Sequence, residues 1–73
     1  MMKVEYKSLN GFAGTMFPDE FMGIKHFDLC VRDTKTKRLM YHATLEKPMT
    51  YEEVKKFVDD FPEFLEKLCR FSK

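Results

Sequence analysis

Apolar and polar residues alternate in three stretches of this chain and recur at helical spacing in a fourth. The opening segment, Met2-Lys3-Val4-Glu5-Tyr6-Lys7, has the period of a half-buried strand, and Leu9-Asn10-Gly11 breaks it. From Gly11 to Gly23 no single period holds, so this stretch reads as an irregular loop. Within it, Pro18-Asp19-Glu20-Phe21-Met22-Gly23 has the order of one helical turn, with Pro at the start, acids next and Gly at the exit.

The middle of the chain predicts a hairpin. Phe27, Leu29 and Val31 alternate with His26, Asp28, Cys30 and Arg32; beyond Asp33-Thr34-Lys35-Thr36-Lys37, Leu39, Tyr41, Ala43 and Leu45 alternate with Met40, His42 and Thr44. Both apolar sets fall on odd positions, which requires an odd loop of three or five residues if they are to share a face. The register expected places Val31 opposite Leu39, Leu29 opposite Tyr41 and Phe27 opposite Ala43, with Asp28 opposite His42 on the other face; a slip of two residues would preserve both faces.

Lys47-Pro48-Met49 ends that strand, and Thr50-Tyr51-Glu52-Glu53 carries the S/T-x-x-E capping box of a helix start. At 100° per residue, Val54, Phe57, Val58, Phe61, Phe64, Leu65, Leu68, Cys69 and Phe71 lie on one side, and charged residues out to Lys73 fill the other. Glu52/Lys56, Glu63/Lys67 and Glu66/Arg70 stand at i,i+4 in the favourable order. Pro62 either kinks this helix or splits it into two segments, and because the stripe keeps its phase across Pro62 one kinked helix is expected. The expected fold is α+β over residues 1–73 as a single small domain. It has a small three-stranded antiparallel sheet (β-β-β-α, a meander) with one C-terminal, Pro-kinked amphipathic helix packed on one face.

Composition narrows the function classes. The chain has 73 residues, 44% hydrophobic and 34% charged, with a formal charge of +1, which argues against a polycation and against an acidic nucleic-acid mimic. No apolar run is long enough to span a membrane and no secretory signal is apparent, so a cytoplasmic protein with no membrane partner is expected. Cys30 and Cys69 stand far apart without a metal-binding spacing, so neither zinc nor a disulfide is expected and both thiols are read as free. A core this small leaves room for a homodimer to cover further apolar surface.

Three clusters bear on chemistry. His26, Asp28, Cys30 and His42 share the outer face of the hairpin, the residue types of a cysteine nucleophile with its base and orienting acid. No motif or pocket surrounds them, so they read as solvated strand residues; His26, His42 and Asp28 supply three metal ligands only if the register cooperates, and no metal or cofactor is expected. Arg32, Lys35, Lys37 and Arg38 gather at the hairpin turn, a basic ribbon end of the kind that enters nucleic-acid grooves, or simply a hydrated turn. Phe12, Met16, Phe17, Phe21 and Met22 crowd into one stretch, either as an adaptable contact surface or as a cap on the core. With no catalytic motif or phosphate-binding loop, the expectation is a non-enzymatic protein-binding module. It would be a regulator or inhibitor of a larger protein, of a kind phages and mobile elements encode, that binds through Phe12, Met16, Phe17, Phe21 and Met22. The alternative is a nucleic-acid-binding domain using Arg32, Lys35, Lys37 and Arg38.

Overall fold

In the computed structural model, which describes residues 3–71, the order is β1 (Val4–Lys7), β2 (Phe12–Phe21), β3 (Ile24–Asp33), β4 (Leu39–Leu45), α1 (Tyr51–Asp59) and α2 (Phe61–Phe71). Met2 and Lys73, and the side chain of Phe71, lie outside the described residues. The four strands form an antiparallel sheet in the order β1-β2-β3-β4, a meander as expected, and the α+β class holds. The strand count does not: the stretch read as an irregular loop with a helical turn is β2, a ten-residue strand.

The β2 strand pairs with β3 along its whole length, from Phe12↔Asp33 to Phe21↔Ile24. Two features hid it. Apolar residues fall on both of its faces, Phe12 and Met16 inward, Phe17 and Phe21 outward, so no alternation shows; and Pro18 interrupts it. Pro18 lies past Val4↔Met16, the last β1 pair, where β2 is an edge strand and tolerates a missing N–H. The β3–β4 register is displaced by two residues from that expected: Phe27 faces Leu45, Leu29 faces Ala43 and Val31 faces Tyr41. Every face is therefore kept except at Leu39. A bulge between Val31 and Arg32 pairs Leu39 with Arg32, which turns Leu39 out of the buried set and leaves it 45% exposed.

One face of the sheet buries its side chains under the helices. Met16, Leu29 and Val31 from the strands meet Val54, Val58 and Phe61 from the helices in a fully apolar centre. A ring cluster extends it, with Phe12 edge-on to Phe61 at 4.9 Å and Tyr41 against Phe57 and Phe64 at 5.4 and 5.2 Å. The predicted capping box is formed: Thr50 Oγ1 accepts from the Glu53 N–H, and Glu53 Oε1 accepts from the Thr50 N–H at 2.8 Å.

The helical segment is two helices, not one kinked helix. Pro62 has no N–H to give to the carbonyl of Val58, four residues back, and its ring crowds that position. Val58 O accepts instead from Asn10 Nδ2 at 2.8 Å and the Asp60 N–H closes the last turn on Lys56 O at 3.0 Å; α1 ends at Asp59 and α2 starts afresh at Phe61. Pro62 then stands in the first turn of α2, where its missing N–H is harmless. Leu68 and Cys69, placed in the buried stripe by periodicity, are exposed. Of the three ion pairs expected along the helices, Glu66–Arg70 forms at 2.9 Å, and Lys55–Asp59 forms at 3.1 Å where none was anticipated.

Candidate functional site

The β2–β3 pair outruns its neighbours and projects as an arm. The last β1 pair is Val4↔Met16 and β4 ends opposite Phe27, so Phe17–Phe21 and Ile24–His26 are flanked by no other strand among the described residues. Met22 and Gly23 close the arm in a two-residue turn with both φ values positive, 51° and 81°. Phe21, Met22 and Ile24 meet at this end and are 69%, 85% and 70% exposed. Strand alternation places Phe21 and Ile24 on the outer face, directly opposite one another.

The five residues predicted to bind a partner are therefore divided. Met16 is wholly buried and Phe12 packs on Phe61, so both belong to the core and neither is available for contact. Their inward phase, shared with Gly14, is set by the pairing of β2 with β1 and β3. Phe17 lies half-buried on the outer face, and Phe21 and Met22 stand at the tip. Ile24 completes the tip and was missed. The signal for it was the spacing Phe21-Met22-Gly23-Ile24, two apolar residues around a two-residue turn, but the turn lacks the Asn or Asp that usually announces one.

Beyond the tip, the outer face carries a polar cluster. Asp19 is the register partner of His26, and Asp28 lies two residues further along β3 on the same face. Asp28 Oδ1 is 3.4 Å from His26 Nε2 and 3.1 Å from His42 Nε2, and Asp19 Oδ2 is 3.9 Å from His26 Nε2. His42 reaches Asp28 diagonally, since its register partner is Cys30. Although the face is uncovered, these neighbours leave the Asp28 side chain only 9% exposed. Burial pushes its carboxyl up, but hydrogen bonds with His42 and Asp19 and the nearby imidazoles outweigh that and hold it below its ordinary value. Burial and the Asp28 charge both push the Cys30 thiol up, against a weaker opposing effect of Arg32. A thiol held protonated is the reverse of an activated nucleophile.

The opposite end of the sheet carries the basic turn, the five residues between β3 and β4, with the bulge between Val31 and Arg32 reversing the pairing parity beside it. Asp33 accepts at its carboxylate from the N–H groups of Lys35 and Thr36, at 2.8 and 3.1 Å, and is held below its ordinary value by those two bonds. Thr34 donates from its N–H to Gly11 O, which ties the turn to the β1–β2 connection. Arg32, Lys35, Lys37 and Arg38 are all exposed, and none forms an ion pair among the described residues. On the helix side, a groove of about 420 Å³ runs between Met49, Phe57 and Phe64, rimmed by Glu53, Lys56 and Glu63. No helix among the described residues is long and apolar enough to cross a membrane. Comparisons with protein-family models, with curated proteins and with solved structures find no match to this chain.

Proposed function

We propose that this protein is a non-enzymatic protein-binding module, a small regulator or inhibitor of a larger protein, that engages its partner through the apolar end of the β2–β3 arm. The observation that carries this reading is Met22. Its left-handed backbone, φ 51°, costs a non-glycine residue about 1 kcal/mol. Its side chain gains nothing in return from the core, because it stands in water. Phe21 and Ile24 stand beside it largely uncovered, and Met with Phe makes a surface that adapts to a partner's shape. The protonated Cys30 thiol supports a role without covalent catalysis. Both cysteines are free, as suits a reducing compartment such as the cytoplasm.

Met22→Asn tests this reading, because stability and function then move in opposite directions. Asn tolerates the left-handed turn, so the variant is expected to gain about 0.5–1 kcal/mol in urea unfolding while losing partner capture. Capture unchanged in Met22→Asn and in Phe21→Ala would exclude the tip as the contact. A second reading, nucleic-acid binding, is favoured by the four exposed cations at the other end of the sheet, none of them neutralised by an ion pair among the described residues. It predicts that reversing Lys35, Lys37 and Arg38 to Glu abolishes retention on immobilised nucleic acid with the fold intact.

A further inference from the structure

Asp19, His26 and Asp28 each offer one donor atom, and these atoms all lie within 4.8 Å of one another. Two adjacent strands with an unbroken register hold the three residues next to one another on one face. Zinc bonds of about 2.0–2.2 Å put neighbouring donors roughly 3.3–3.5 Å apart at tetrahedral angles. The His26–Asp28 separation of 3.4 Å meets that spacing, and the His26–Asp19 separation of 3.9 Å closes by rotation of the Asp19 side chain, which is half exposed. Neither carboxylate has a Lys or Arg ion-pair partner among the described residues, and one of them is nearly buried. A divalent cation there would be met by both carboxylates and the His26 imidazole together, with no competing ammonium or guanidinium ion pair among the described residues. An open cavity of about 430 Å³ borders all three donors and leaves room for water or a further ligand.

We propose that Asp19, His26 and Asp28 bind a first-row divalent metal ion of the zinc class, and that His42 is a positioning residue that holds the Asp28 carboxylate toward it. One nitrogen and two oxygen donors suit Zn²⁺, Co²⁺ or Mn²⁺; Ca²⁺ takes six to eight oxygens, which this site does not offer. His42 Nε2, 3.1 Å from Asp28 Oδ1, is the hydrogen-bonded outer partner that a ligating carboxylate generally has. The assignment does not rest on the partner reading, although Phe21 and Ile24 of the tip border the same cavity.

The test is calorimetric titration of tag-free, chelator-treated protein with ZnCl₂, with CaCl₂ as control, alongside NMR of the imidazole nitrogens. One equivalent of Zn²⁺ is expected to bind and to shift His26 Nε2, while Ca²⁺ does not bind. His26→Gln and Asp19→Asn are expected to abolish uptake, and His42→Gln to weaken it about tenfold. Asp19 is exposed, so Asp19→Asn keeps the fold and remains decisive if changes at Asp28 do not. Absence of uptake below millimolar Zn²⁺, uptake unchanged in Asp19→Asn, or uptake lost in Cys30→Ser would each overturn the site. Unchanged affinity in His42→Gln would overturn the positioning role.

Discussion

Asp59 gathers three donors, one from β1, one from the connection after it and one from its own helix. Its Oδ1 accepts from the Tyr6 and Ser8 hydroxyls, both at 2.7 Å, and its Oδ2 from Lys55 Nζ at 3.1 Å. The Tyr6 and Ser8 bonds, followed by that of Lys55, hold its carboxyl down to about 2, and the same contact with Asp59 raises the Lys55 ammonium. The folded-state value lies below the ordinary 3.8, so the native state keeps the ion after the unfolded chain has taken up its proton. The stabilisation is therefore complete above about pH 4 and is lost as pH falls through about 2. Acid unfolding followed by far-UV circular dichroism is expected to lose part of its slope in this window in Asp59→Asn; an identical acid limb would show that the clasp contributes nothing. Gly14 is the second decisive residue. A Cβ built there overlaps Val58 Cγ2 and lies 3.4 Å from Val54 Cγ1, so α1 rests directly on the β2 backbone. Gly14→Ala is expected to cost about 1–3 kcal/mol by overpacking, and Val58→Ala about 1–3 by leaving a cavity. Combined, the two losses should fall short of their sum in urea unfolding, because each relieves the other; simple additivity would place the cost elsewhere.

At the level of elements, the break between α1 and α2 depends on a residue far away in sequence. Asn10 Nδ2 bonds Val58 O and Asp59 O, the carbonyls that end α1 where Pro62 prevents its continuation. Asn10→Ala leaves one of them short of a partner and is expected to cost about 1 kcal/mol, with faster amide exchange at the end of α1. A variant as stable as the wild type would mean that water replaces the amide at no cost. Periodicity revealed the hairpin faces, the capping box and the apolar helix stripe, because each depends on neighbours a few residues apart. It did not reveal whether Pro62 kinks or divides the helix, since that was decided by Asn10 on a loop beside β1. Nor did it reveal β2, whose far half is an edge strand carrying Pro18 and whose outer face is partly apolar. The polar cluster was legible as residue types on one face. Asp19 joins it only through β2, because Pro18-Asp19-Glu20 has the residue order of a helical turn.

Considered as a whole, the molecule has one face closed and the other open. The helices cover Met16, Leu29 and Val31, while the outer face carries the polar cluster along its middle, the apolar tip at one end and the basic turn at the other. This polarity separates the two functional readings in space, so a single experiment distinguishes them. Tagged protein is incubated with native lysate, with and without nuclease, and the bound material is read by mass spectrometry for the wild type and for Phe21→Ala/Ile24→Ala. A tip-mediated module predicts a stoichiometric protein partner that survives nuclease and is lost in the double variant, whose thermal midpoint falls only slightly because both side chains are mostly exposed. Recovery that disappears with nuclease, or a protein partner retained in full by the double variant, would contradict it.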